Sequence, residues 1–195
     1  MLAQDGKTDY RIAVSPDATS AERTAANELA DYLKRVTDAE FPIVPSVDGG
    51  PVIAVGPAAA RALTPELDLS RTGPTGLAED GIIIKTVGDD LLLLTGAEGS
   101  RRGTLYAVYT FLEDYLGCRW WTPQVSRIPA KPVLTIGELN VRYVPPLEHR
   151  EILIAPTTLD PDWSVRNKCV GELHGYGHFK SMAQRGGTPR SSWIG

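Results

Sequence analysis

The stretch SRRGTLYAVYTFLEDYLGCRWWTP, residues 100–123, has the spacing of a helix that ends and turns back into a sheet. Leu105, Val108, Tyr109, Leu112 and Leu116 recur at three- and four-residue intervals and form one apolar stripe, while Glu113 and Asp114 fall on the solvent side. Ser100 stands where a cap belongs, and Gly117 where a left-handed residue ends a helix. The apolar, aromatic run 118–121 then reads as a strand. Arg101 and Arg102 put positive charge at the positive end of the helix dipole. They are expected either to contact an anion or a partner, or to reach back to Glu98 or Asp114.

Around this element the composition is that of a globular protein. A chain of 195 residues holds about one full domain and part of a second, and needs no staples to bury a core. A net charge of −4 and the lack of any Lys/Arg run argue against a nucleic-acid partner. No apolar run reaches the roughly 20 residues of a membrane span, and MLAQDGKTD lacks the charged start and apolar middle of a signal peptide. Cys118 and Cys169 are far apart and read as buried free thiols, which leaves the redox compartment open.

Taken in order, residues 10–14 alternate as a strand before the breaker Ser15-Pro16-Asp17. Thr19 and Glu22 have capping-box spacing, and Ala25, Leu29, Tyr32, Leu33 and Val36 continue at helical period. Residues 41–44 and 52–55 are short apolar runs between tight turns, as buried strands are. Residues 57–80 read as a helical turn and a surface loop. Residues 81–87 and 91–95 flank Gly88-Asp89-Asp90 and form an antiparallel hairpin; residues 133–136 are a further strand candidate. This order lacks regular βαβ repetition, so the expected class is α+β, a mixed β-sheet with two main helices on one face.

Pro145 and Pro146 interrupt the pattern, and the domain boundary is set there, giving segments 1–144 and 145–195. Residues 147–154 read as a new strand, residues 162–170 as a helix, and the rest as loop. About 50 such residues cannot close a core of their own.

The chemistry-bearing residues cluster late. His174 and His178 are four apart, with Cys169 upstream, but Gly175 and Gly177 argue against the helix a metal pair needs, so neither metal nor cofactor is expected. Asp160, Asp162 and Glu172 sit in turns and loops and read as caps or solvated acids rather than a catalytic pair. His149, Arg150 and Glu151 open an otherwise apolar strand. One of them must turn inward, either to a ligand or, for Arg150, to a nearby acid. Trp163, Tyr176, Phe179 and Trp193 offer flat faces for sugar rings, whereas Trp120 and Trp121 read as core or interface residues.

The helix AERTAANELADYLKRVT, the run PVIAVG, the pair GIIIKTVGDDLLLLTG, the motif SRRGTLYAVYTFLEDYLGCRWWTP and PPLEHRE together resemble the N-terminal region of bacterial glycoside-hydrolase-like proteins. These carry a domain of unknown function related to the α-glucuronidases of glycoside hydrolase family 67. The resemblance implies a non-catalytic α+β domain similar to the second domain of β-hexosaminidases, followed by the truncated start of a (β/α)8 barrel. It also implies a secreted or periplasmic parent enzyme acting on polysaccharide. Barrel chemistry sits at strand C-terminal ends. The expected substrate contacts are therefore Arg150, His174, His178, Trp163 and Tyr176, with no catalytic residue before Gly195, and carbohydrate and the remaining barrel are the expected partners. The alternative is a stand-alone glycan-binding or interaction module.

The helical stripe makes its own prediction. Leu112→Ala is expected to cost about 2–5 kcal/mol in denaturant unfolding, as large-to-small core changes do; a loss under about 0.5 kcal/mol, the surface range, would show that the stripe is not buried.

Overall fold

The structure, a computed structural model, describes residues 1–46, 49–147, 150 and 160–169. In chain order the strands are β1 (Ala3–Gln4), β2 (Arg11–Val14), β3 (Ile43–Val44), β4 (Val52–Val55), β5 (Ile82–Val87), β6 (Leu91–Thr95), β7 (Arg119–Trp120), β8 (Ser126–Arg127), β9 (Val133–Leu134) and β10 (Asn140–Tyr143). The helices are α1 (Ser20–Thr37), α2 (Pro57–Leu63), α3 (Gly103–Thr110) and α4 (Pro161–Arg166).

Six strands form one mixed sheet in the order β10-β5-β6-β4-β2-β3. The pairs β3–β2, β2–β4 and β4–β6 are parallel; β6–β5 and β5–β10 are antiparallel. The expected hairpin is present, with Ile83 opposite Thr95 and Val87 opposite Leu91. Three strands lie outside the sequence reading: β10, whose side chains are mostly exposed, β1, which pairs with β9, and β8, which pairs with β7. None has enough apolar alternation to register as a strand on its own.

The period-2 alternation of the central strands divides the core in two. On one face Ile53, Val55, Ile82, Ile84, Leu92 and Leu94 pack with α1 and α3, so both main helices do share a face. On the other, Ala54, Ile83 and Leu93 meet Ala59 and Ala60 of α2 together with Leu69 and Leu77. The 64–80 segment is therefore a cover for the second face, since Leu69 and Leu77 are fully buried. α1 starts in the predicted capping box: Glu22 N–H donates to Thr19 Oγ1 (3.2 Å) and Thr19 N–H to Glu22 Oε2 (2.7 Å). It ends at Asp38, left-handed at φ 62°.

The helix quoted first departs from its reading in three ways. It begins at Gly103, and Ser100 does not cap it; the Ser100 hydroxyl is buried without a hydrogen-bond partner among the described residues. After Thr110 it widens into a π-helical turn over Phe111–Tyr115, in which Leu116 N–H reaches Phe111 O (3.3 Å). Gly117, at φ 83°, then closes it, with Cys118 N–H donating to Leu112 O (3.0 Å). Finally, the helix has no wet side along α3: seven of its eight residues are buried. Cys118 and Cys169 are both buried, and burial pushes the Cys118 thiol up to about 11.

The start of α3 lies so close to the sheet that only glycine fits. A Cβ on Gly103 would stand 2.6 Å from Gly81 O and 2.8 Å from Gly96 Cα, both backbone atoms. Alanine normally stabilises a helix relative to glycine by about 1 kcal/mol. Here Gly103→Ala is expected to reverse that sign and destabilise by about 1–3 kcal/mol, as overpacking does; a raised denaturation midpoint would refute the close approach.

Candidate functional site

The outer side of α3 is where the late, charged part of the chain meets the body of the fold. Glu79 and Asp80 precede β5, and Arg101 and Arg102 precede α3, so the hairpin and the helix bring two acids and two arginines to one end of the sheet. Asp80 is shared. Its Oδ1 accepts from Arg102 Nε (2.7 Å) and its Oδ2 from Arg150 Nη2 (2.7 Å), and the Asp80 and Arg102 side chains are each only 5% exposed. Glu79 takes the Arg101 N–H (2.7 Å) and Nε (3.1 Å) and, on its other oxygen, Arg71 Nη1 (3.3 Å). The cation–anion pairing at the helix start is thus internal: the arginines reach Glu79 and Asp80, while Glu98 pairs with Arg61 (2.6 Å).

Arg150 makes this cluster a junction. Besides Asp80, it donates from Nε to Lys168 O (3.2 Å) and from Nη1 to Leu147 O, and its guanidinium lies 5.6 Å from the centre of the Tyr106 ring. Tyr106 in turn donates its hydroxyl to Cys169 O (3.3 Å), and burial holds its pKa well above the ordinary tyrosine value.

A second junction lies further along α3. Arg166 grips Glu28 with two parallel contacts, Nε to Oε2 and Nη2 to Oε1, both 3.1 Å, and Tyr109 OH donates to the same Oε2 (3.2 Å). Burial works against charging Arg166, but the Glu28 hydrogen bond and charge outweigh it and raise the pKa. Tyr109 is pushed the same way, by burial first and then by the Glu28 charge. Beside this pair Trp120 meets the edges of Tyr32 (5.4 Å) and Tyr109 (5.8 Å) and donates Nε1–H to Tyr32 OH (2.8 Å). Lys168 pairs with Glu113, which is therefore half-buried rather than on a wet face.

α4 is set for these contacts by its own ends. Asp160 accepts from Trp163 N–H (2.9 Å) as the N-cap, and Pro161 occupies the first turn. Trp163 donates Nε1–H to Trp120 O (2.9 Å), Asn167 Nδ2 reaches the same carbonyl (3.2 Å), and Val165 joins the main core.

Of the residues singled out from sequence, the structure brings Arg150 and Trp163 to this one face, each engaged by groups of the same chain. His174, Tyr176 and His178 lie outside the described residues, as does most of the strand expected over 147–154. Asp80, Glu79 and Glu28 carry no such signal in the sequence, and Tyr109 reads there only as part of the apolar stripe. The two arginines before the helix called for two acids, but nothing in the spacing favours Glu79-Asp80 over Glu98 or Asp114. Among the described residues no group of His, Cys, Asp or Glu is set to hold a metal ion. A groove of about 570 Å³ opens at the opposite end of the β5–β6 hairpin, by Tyr10, Thr86, Asp89 and Glu138; none of the sequence candidates lines it.

No protein-family model matches the sequence, and no curated protein matches it. Among solved structures, the chain is similar to a family GH115 4-O-methyl-α-glucuronidase with specificity for decorated arabinogalactans. The TM-score is 0.57 at 19% identity, over 76% of this chain and 19% of that one. A GH20 β-N-acetylhexosaminidase from Streptomyces coelicolor A3(2) matches at TM-score 0.44 and 17% identity, over 73% of this chain and 24% of that one. The likeness to the first is one of fold: this α+β arrangement has a counterpart inside a carbohydrate-active enzyme, and the chain spans about a fifth of that enzyme's length.

The shared carboxylate is the testable centre of the face. Asp80→Asn keeps the shape but removes the charge that Arg102 and Arg150 share, and breaking a buried pair costs about 3–5 kcal/mol. That loss is expected in equilibrium unfolding; an unchanged midpoint would show that the cluster is not buried.

Proposed function

We propose that the chain is the non-catalytic N-terminal part of a carbohydrate-active glycoside hydrolase similar to α-glucuronidases. Residues 1–144 form its accessory domain, and residues 145–195 open the catalytic barrel that this domain supports. One observation carries the reading. The body of the fold contributes three acids to the outer face of α3, Glu28, Asp80 and Glu113, and the following segment answers each with a cation, Arg166, Arg150 and Lys168.

Such matched polarity sets register and orientation more than it adds net stability. It suits a seat that must hold the first turn of a following domain in one position. The apolar part of the seat is Tyr106, Tyr109 and Trp120, against Val165 and Trp163. In this reading Arg150 and Trp163 anchor the chain to the accessory domain, and contact with sugar falls to barrel residues, His174, Tyr176 and His178 among them.

A glycosidase of the common kind needs two carboxyl groups flanking the scissile bond, one to protonate and one to attack or activate water. Glu28, Asp80 and Glu113 are each held by a cation of the following segment. Acids engaged in this way fit the holding of a neighbour, and the fold likeness to part of a much longer α-glucuronidase supports that role.

The 195-residue chain is expected to release no uronic acid from 4-O-methylglucuronate-decorated arabinogalactan, measured by chromatography of the products. Release at an enzymatic rate by this chain alone would overturn the non-catalytic reading.

A further inference from the structure

The hairpin formed by β7 and β8 lends the seat Trp120, through its ring and its carbonyl, and the seat does not use its other side. In it Arg119 stands opposite Arg127 and Trp120 opposite Ser126. Beyond that pair, Trp121 N–H donates to Val125 O (3.0 Å), and Val125 N–H returns to Thr122 O (3.2 Å) and Thr122 Oγ1 (3.0 Å), which closes a rigid turn. Alternation sends Trp120 to one side, where it is 6% exposed in the core. The other side carries Arg119, Trp121, Val125 and Arg127.

That side is unusual in two respects. Trp121 is 59% exposed and Val125 50%, so an indole and an aliphatic side chain lie next to each other in water on a backbone that cannot fold them away. Two arginines also face each other directly across the ribbon, which is destabilising for like charges. Arg119 relieves this by turning back to Cys118 O (2.7 Å) and Glu113 O. Arg127 is exposed and has no side-chain ion pair or hydrogen bond among the described residues. The face therefore combines a flat apolar floor with an unneutralised guanidinium, in a chain whose net charge is −4.

We propose that the 119–127 hairpin is a binding platform for an acidic saccharide unit, a pyranose carrying a carboxylate. The apolar face of the ring lies on Trp121 and Val125, and the carboxylate meets Arg127. Arginine suits this position because its planar fork matches a carboxylate and remains charged at any working pH. The platform gives the domain a ligand of its own, beyond its seating role. The choice of a sugar rests on the carbohydrate-enzyme reading above, while the aromatic-plus-cation chemistry comes from the hairpin itself.

The test is calorimetric titration of the full chain with 4-O-methylglucuronate-decorated arabinogalactan oligosaccharides and with the same oligosaccharides after carboxyl reduction. Saturable binding of the acidic form is expected, with the reduced form weaker by about tenfold, the scale of a hydrogen bond to a charged group. Trp121→Ala is expected to lower affinity for both forms by about tenfold or more, as loss of a central aromatic anchor does. Arg127→Gln should weaken only the acidic form and so abolish the difference between the two. Both side chains are exposed, so melting curves of the variants should match the parent. No saturable binding into the millimolar range overturns the proposal, and so does binding that neither substitution changes. A concentration-dependent dimer lost in Trp121→Ala would assign the face to a contact between copies and overturn it as well. None of these failures touches the seat, which is read separately through Asp80→Asn.

Discussion

α3 has water on almost none of its surface, and the rest of the fold follows from that. A helix apolar on one stripe needs one cover; a helix buried all round needs several. The sheet supplies the first through Ile84 and Leu94, and α1 the second through Ala25, Leu29 and Leu33. The third comes from residues beyond the double proline, where Val165 and Trp163 complete the core over Tyr106 and Tyr109. Close approach on the sheet side is possible because Gly81, Gly96 and Gly103 bring three backbones together where any Cβ would collide. One helix thus sets the spacing of the sheet beneath it and the need for a segment above it.

Burying α3 at both ends creates an electrostatic requirement. The helix starts with two arginines at the wrong end of its dipole, and one of them, Arg102, is almost fully buried. An unneutralised guanidinium there would cost several kcal/mol. The adjacent acids Glu79 and Asp80, delivered by the loop that also covers the second face of the sheet, remove that cost. Asp80 has two oxygens and Arg102 Nε engages one, which leaves the other for a cation from elsewhere. Arg150 fills that place, so the charge balance of the helix start becomes the attachment point of the segment that follows.

The parts of this arrangement that arise from local periodicity were legible in the sequence. The capping box of α1, the 81–95 hairpin, the stripe of Leu105, Val108, Leu112 and Leu116 and the stop at Gly117 all depend on neighbours within a few residues. The cover by Leu69 and Leu77 was not legible, because two apolar residues in a loop rich in Pro and Gly carry no period. The Asp80 junction was half legible. Arg101, Arg102 and Arg150 each stood out as charge where charge is costly, but their partners lie 22 and 70 residues away and are chosen by the fold. The π-helical turn over Phe111–Tyr115 has no signature in composition or spacing.

The two faces of the 118–127 region show how one short ribbon serves opposite ends. Trp120 points inward, closes an aromatic cluster with Tyr32 and Tyr109, and offers its carbonyl to Trp163 and Asn167. Its neighbours Arg119 and Trp121 necessarily point the other way, because successive strand residues alternate. A ribbon with its inner face fixed into the core cannot turn to hide the outer one. Exposure of Trp121 is therefore imposed by burial of Trp120. A tryptophan kept in water by its own fold is a ready contact surface, and strand alternation puts Arg127 on the same side of the ribbon.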